Sequence, residues 1–142
     1  MKSIWLKIAS VFQIITGIIH SLSLFTGLQP QNESEKQIID LMNSYRMDGG
    51  PGFAPSFSDL FLALSSCFTL LYLMTGILNF YLLRHSLSLQ TWRGIHIIQI
   101  VFFGAGFFVM YAYTFIYPVI LTGLCFLFLV ISYFANRSEA RS

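Results

Sequence analysis

The chain has 142 residues, of which 56% are hydrophobic and only 10% are charged, and its formal net charge is +2. Because soluble domains carry about 25% charged residues, this composition excludes an ordinary water-soluble domain and indicates a protein surrounded by lipid. The basic residues form no cluster, which excludes a nucleic-acid partner. The length fits a single transmembrane domain over residues 1–142.

Four apolar segments are predicted to be membrane-spanning helices, since a bilayer is crossed by roughly 20 helical residues. The fold class is therefore all-α, an antiparallel four-helix bundle with spans at about 8–28, 57–83, 94–113 and 118–135. The first span follows Lys2 and Lys7, as the apolar part of a signal peptide would. Its polar residues Gln13 and His20 favour a helix that is retained in the mature protein instead.

The first loop, residues 29–56, is predicted to contain a short amphipathic helix. Apolar residues recur at three- and four-residue spacing between Glu33 and Met47, which is typical of a helix lying on the membrane surface or over the mouth of the bundle. The glycine- and proline-rich stretch 48–55 is predicted to have no regular structure. Ser56 is the expected N-cap of the second span, and Asp59, three residues later, completes a capping box.

The remaining connections are short. Residues 84–93 are predicted to be a polar connector and Thr114–Tyr117 a tight turn, with Pro118 in the first turn of the fourth span. Residues 136–142 are predicted to be a polar tail.

The distribution of basic residues predicts the orientation in the membrane. One side of the bundle carries six of them, Lys2, Lys7, Arg84, Arg93, Arg137 and Arg141, and the other side carries Lys36 and Arg46. By the positive-inside rule, both termini and the 84–93 connector are cytoplasmic, and the loop 29–56 faces outward. The predicted location is the cytoplasmic (inner) membrane.

Polar residues within the spans are the candidate ligand-binding residues, because an unpaired polar group in lipid is costly and is therefore often functional. The candidates are His20, Asp59, Gln13, Ser66, Gln99, His96 and Arg46.

Each candidate also has a purely structural interpretation. Gln13 and Gln99 are expected at similar depth, which favours a hydrogen bond between the first and third spans. Asp59 is either a helix cap or a functional acid, and Arg46 is the basic residue that could pair with Asp59 or with Asp48. His96 lies close enough to the cytoplasmic interface to reach water.

The sequence contains no recognised motif for a metal, a cofactor or a nucleophilic enzyme. Cys67 and Cys125 lie in apolar segments and are interpreted as small buried residues. A disulfide between them requires contact between the second and fourth spans. We therefore expect no metal and no cofactor.

Two stretches of sequence support a resemblance to known membrane proteins. Gly17-Ile18-Ile19-His20, with Gly27 at the outer end of the first helix, and Ser56-Phe57-Ser58-Asp59-Leu60-Phe61 at the start of the second resemble a group of small bacterial four-helix membrane proteins of uncharacterised function. A weaker likeness is to the emopamil-binding (EXPERA) proteins, which bind or isomerise sterol-like ligands in a pocket open to the membrane. That likeness implies a role for Asp59, but the family's second acidic residue has no counterpart in the third or fourth span.

The leading interpretation is a non-enzymatic membrane protein that binds a lipid-like small molecule or a partner protein near its outer half, through His20 and Asp59. Expected partners are the bilayer, a hydrophobic small molecule, and another membrane protein or a second copy of the chain. One alternative is an isomerase-like enzyme in which His20 and Asp59 are an acid–base pair acting on an apolar substrate. The other is an accessory subunit of a larger membrane complex.

Overall fold

A computed structural model describes residues 4–26, 29–85 and 87–139, with side chains up to residue 135. This part of the chain forms five α-helices and no strand, which confirms the all-α prediction. The helices are α1 (Ile4–Thr26), α2 (Glu33–Ser44), α3 (Phe57–Leu83), α4 (Leu89–Tyr113) and α5 (Ile116–Glu139). Four of them are long and apolar enough to cross a membrane, namely α1, α3, α4 and the Ile116–Ala135 part of α5.

The helix boundaries differ from the predicted spans where polar residues continue a helix. Helix α3 has the predicted limits, but α4 begins at Leu89, because Ser88 acts as N-cap and accepts a 3.1 Å hydrogen bond from the backbone N–H of Thr91. Helix α5 begins at Ile116, so Pro118 lies in its first turn as predicted. Hydropathy marks the apolar part of a helix, and polar first and last turns are missed.

At the chain ends the helices also exceed the predicted spans. Helix α1 starts at Ile4, and its predicted outer end at Leu28 lies outside the described residues. Helix α5 continues to Glu139, so the predicted polar tail is helical as far as it is described, and residues 140–142 lie outside that range.

Internal contacts divide the chain into two units, which are described separately. The first unit comprises Met1–Thr16 with Tyr72–Ser142, and the second comprises Gly17–Leu71.

The polarity of the described residues is inverted relative to a soluble protein. Seven hydrophobic residues are buried, but so are ten polar ones. Large apolar side chains instead point outward along every long helix, with Phe102 73% exposed on α4 and Leu70 64% exposed on α3. In water this arrangement would leave the hydrophobic effect almost unused, whereas lipid solvates such a surface well.

In the first unit, α4 and α5 form an antiparallel hairpin joined by Thr114 and Phe115. The pairing is seen in two glycine contacts, where a Cβ at Gly104 would lie 3.0 Å from the ring of Phe126 and a Cβ at Gly123 would lie 3.0 Å from the ring of Phe107. The absence of side chains at these glycines lets the aromatic rings of the opposite helix approach the backbone.

Helix α3 lies close against α1 at Gly76. A Cβ added there would lie 2.6 Å from Cγ1 of Ile14 and 2.9 Å from the carbonyl oxygen of Ser10. One of these neighbours is backbone, so the contact cannot be relieved by a side-chain rotation alone. Gly76 therefore sets the distance between the two helices.

We expect Gly76→Ala to destabilise the protein by ~1–3 kcal/mol, the usual cost of an overpacked core. Gly94→Ala is the matched control, because a Cβ at this exposed position on α4 meets no atom within 4 Å. Alanine should be neutral or stabilising there, by up to ~1 kcal/mol. Thermal unfolding of both variants in detergent checks this, and equal shifts of the midpoint would contradict it.

The second unit contains α2 and the chain reversal that connects it to α3. Helix α2 is capped by Asn32, whose side chain accepts a 2.9 Å hydrogen bond from the backbone N–H of Glu35. The helix ends at Ser44 and not at the predicted Met47. Because Arg46 then pairs with Ser56 as an isolated antiparallel bridge, the chain leaves the helix to enter a turn.

The prediction that residues 48–55 form no helix or strand is confirmed, but the two ends of this loop are hydrogen-bonded to each other. The N–H of Met47 donates to the carbonyl of Pro55 at 2.9 Å, and the N–H of Gly49 donates to that of Phe53 at 3.1 Å. Gly50 and Gly52 have φ of 98° and 82°, a backbone region that residues with a Cβ rarely adopt. Turn-forming composition identified a loop here, but it did not reveal that the two ends pair like a hairpin.

Candidate functional site: the buried polar residues

Three side-chain amides meet at a buried point in the first unit. Gln13 on α1, Asn79 on α3 and Gln99 on α4 are 0%, 0% and 8% exposed. Nδ2 of Asn79 donates to Oε1 of Gln13 and to Oε1 of Gln99, each at 3.0 Å. In return Nε2 of Gln99 donates to Oδ1 of Asn79 at 2.6 Å, and Nε2 of Gln13 donates to Oε1 of Gln99 at 3.4 Å.

The predicted hydrogen bond between Gln13 and Gln99 is thus present, as part of this amide cluster of Gln13, Asn79 and Gln99. Every amide in the cluster both donates and accepts within it. The cluster is therefore a junction between three helices. A role for Gln13 and Gln99 in ligand binding remains a prediction.

Sequence analysis did not single out Asn79. The sequence does contain a signal for it. Asn79 is an amide within an uncharged apolar segment that ends at Leu83, and Asn is uncommon in lipid unless it is paired. The contact of Asn79 with Gln13 and Gln99 follows from the packing of α3 against α1, which the sequence does not show.

We expect Asn79→Leu to lower the free energy of unfolding by ~1–2 kcal/mol, since the amides of Gln13 and Gln99 lose partners in a buried place. Ser21→Ala is the control, because Ser21 is only partly buried and its hydroxyl donates to the Ile18 carbonyl of its own helix. Unfolding in mixed detergent micelles measures both effects. A loss no larger than that of the control would show that the cluster does not hold the helices together.

His96 is also satisfied within the first unit. The side chain is 3% exposed, with Nε2 3.0 Å from Oγ of Ser132 on α5 and Nδ1 3.1 Å from the carbonyl of Trp92 on its own helix. Both ring nitrogens have partners, so the geometry favours a structural link between α4 and α5 over a free imidazole that reaches water.

Asp59 and Arg46 come together in the second unit, as the sequence suggested. Nη1 of Arg46 lies 2.8 Å from Oδ2 of Asp59, and both side chains are more than half exposed. The same carboxylate oxygen accepts hydrogen bonds from the backbone N–H and the hydroxyl of Ser56 at 2.8 and 2.9 Å. The backbone N–H of Asp59 donates to Oγ of Ser56 at 3.1 Å, which confirms the predicted capping box.

These contacts give Asp59 a structural task. Its carboxylate caps α3 and binds Arg46, the residue that pairs with Ser56 at the base of the chain reversal. Ser66, another candidate, donates its hydroxyl to the Leu62 carbonyl one turn earlier, as a helical serine commonly does.

His20 differs from these candidates because one of its ring nitrogens is buried without a hydrogen bond. The side chain is half-buried in the second unit, and its Nε2 is buried without a hydrogen-bond partner. Its ring packs against the ring of Phe68 on α3 in a T-shaped arrangement, with ring centroids 5.0 Å apart at 69°. A buried imidazole nitrogen without a partner carries a desolvation cost, which a bound group could offset.

The second unit also has an open apolar groove of about 560 Å³ between α2 and the start of α3. Its walls are apolar and aromatic side chains, with Tyr45 and Phe57 stacked at 6.3 Å. The lining residues are Ile38, Leu41, Met42, Tyr45, Phe57 and Phe61. Such a surface suits hydrocarbon, but it offers little to orient a polar head group.

No metal site is seen in the described ranges, where no three side chains of His, Cys, Asp or Glu form a group that could hold an ion. Cys67 and Cys125 are both free thiols, the first exposed and the second buried, with its Sγ 3.7 Å from Oγ1 of Thr16.

Comparisons of the chain with protein-family models, curated proteins and solved structures find no match. The site is therefore interpreted from its own geometry.

Proposed function

We propose that this protein is a multi-pass protein of the bacterial cytoplasmic membrane, an antiparallel four-helix bundle that binds a lipid-like small molecule in its outer half. Four helices of sufficient length and apolarity support the membrane assignment. The inverted polarity supports it independently, because outward-facing apolar side chains and buried amides suit a lipid solvent.

Charge supports an orientation with both termini in the cytoplasm. Of the basic residues assigned to that side, Lys7, Arg84 and Arg93 lie within the described side chains. Lys2 and Arg141 lie outside the described residues, and only the backbone of Arg137 is described. The opposite side carries two basic residues, Lys36 and Arg46, and the positive-inside rule, which counts Lys and Arg, assigns the side with fewer of them to the outside.

We expect a membrane-impermeant maleimide to label Gln37→Cys on exposed α2 only from the outside of intact cells. His85→Cys, in the connector before α4, is the matched position on the opposite side and should react only after the cells are opened. Both variants are made in a Cys67→Ala background, because Cys67 is exposed whereas Cys125 is buried. Labelling of both cysteines from the same side would refute the topology.

The observation that carries the ligand proposal is the buried, unpartnered Nε2 of His20. The other sequence candidates have intramolecular partners, and His20 is the candidate with a buried hydrogen-bonding atom that lacks one. A polar head group that reaches His20, with its chain along the exposed apolar residues of α1 and α3, would satisfy that atom and bury apolar surface.

The geometry gives less support to the two alternatives. An isomerase-like enzyme requires Asp59 to be available to a substrate, but its Oδ2 is engaged by Ser56 and Arg46. An accessory subunit, or a homo-oligomer, would cover the exposed apolar surface with protein in place of lipid. Purification in a mild detergent distinguishes these cases, because a subunit brings a stoichiometric partner with it.

We expect a panel of oleyl alcohol, oleic acid and a short-chain quinone to contain at least one compound that raises the unfolding temperature of the wild type. A free ligand concentration of 100 times Kd corresponds to ~2.7 kcal/mol of stabilisation of the folded protein. The shift should be lost in His20→Ala and kept in His85→Ala, whose side chain is exposed. Identical responses of the wild type and His20→Ala across the panel would contradict the proposal.

A further inference from the structure

We propose that His20 and Thr69 together bind the hydroxyl group of a neutral lipid, an inference that rests on the proposed function and specifies the ligand at the same site. His20 contributes Nε2 and Thr69 contributes Oγ1, both buried and both without a hydrogen-bond partner in the structure.

Thr69 is unusual among the hydroxyl-bearing residues of the helices. It is 6% exposed, yet its hydroxyl makes no hydrogen bond. Ser10 and Thr122 are also buried, but each donates to the carbonyl four residues earlier on its own helix, at 2.6 and 2.7 Å. Because a buried hydroxyl without a partner is destabilising, a threonine that does not bond back to its helix is expected to have another partner.

His20, in the outer part of α1, and Thr69, in the first half of α3, both belong to the second unit. The imidazole contacts Phe68, which directly precedes Thr69. His20 therefore contacts the residue next to Thr69, whose hydroxyl has no partner.

A hydroxyl group fits these two atoms better than other polar groups do. It donates and accepts at once, so it pairs with Nε2 of His20 in either protonation state of that nitrogen, and with the threonine hydroxyl in either direction. An ether or an ester can only accept a hydrogen bond. It therefore leaves Nε2 of His20 without a partner when that nitrogen carries no proton.

The ligand is neutral because no charged side chain accompanies the pair. In the described part of Gly17–Leu71 the charged residues lie on α2, in the chain reversal and in the first turn of α3: Glu33, Glu35, Lys36, Asp40, Arg46, Asp48 and Asp59. Asp59 is about 15 Å from Thr69 along the helix and is already paired. A carboxylate or an ammonium group at Thr69 would therefore be a buried charge without a counter-ion.

The test compares oleyl alcohol with oleyl methyl ether, two probes with the same chain that differ in the hydroxyl proton. Dissociation constants are measured for the protein in lipid nanodiscs. For the wild type we expect the alcohol to bind about tenfold more tightly, which corresponds to ~1.4 kcal/mol. In Thr69→Val, which removes the hydroxyl at nearly constant volume, the preference should fall to about threefold or less. Ser66→Ala is the control on the same helix and should keep the full preference, because that hydroxyl is bonded to Leu62.

A second measurement uses the wild type alone, so it does not depend on how a variant folds. The ¹⁵N signal of Nε2 of His20, assigned by its absence in His20→Gln, should shift on addition of the alcohol and not on addition of the ether. Equal affinities for the two probes, or an unchanged signal, would overturn the hydroxyl proposal, and a water molecule would then be the partner of the two atoms. If the wild type and His20→Ala both fail to bind either probe, the proposed lipid-binding function fails as well.

Discussion

The amide cluster of Gln13, Asn79 and Gln99 is the contact on which the first unit depends. It joins α1, α3 and α4 at one buried point, with four hydrogen bonds among three side chains. In a lipid solvent, helices gain little from burying apolar side chains against each other. Packing at small residues and hydrogen bonds between polar ones must then hold them, and the cluster provides the second of these.

The packing at small residues follows the same logic. Gly76 brings α3 against α1 one turn of helix before Asn79, so the close backbone approach and the amide contact support each other. On the other side, His96 links α4 to Ser132 of α5. Polar and small residues thus occupy the places that leucine and isoleucine occupy in a soluble bundle. This explains why the functional candidates His96, Gln13 and Gln99 also have structural partners.

The sequence predicted the helices well and the contacts between them only in part. Apolar length identified the four long helices, the Ser56–Asp59 pattern identified the start of α3, and matching depth identified the Gln13–Gln99 contact. The role of Asn79 depends on the rotation of α3 about its own axis, which periodicity cannot determine in a helix that is apolar all round. The unpaired state of the Thr69 hydroxyl could not be predicted either, because the composition of a span does not show which hydroxyl lacks a partner.

The paired chain reversal between α2 and α3 also limits which substitutions this region tolerates. Arg46 and Ser56 close it at its base, and the backbone at Gly50 and Gly52 is left-handed. Alanine at either glycine would strain the backbone even though nothing crowds the space around it. Sequence drift there is consequently restricted by backbone conformation and not by room, so α2 remains tethered to the start of α3 however freely its outward-facing side chains vary.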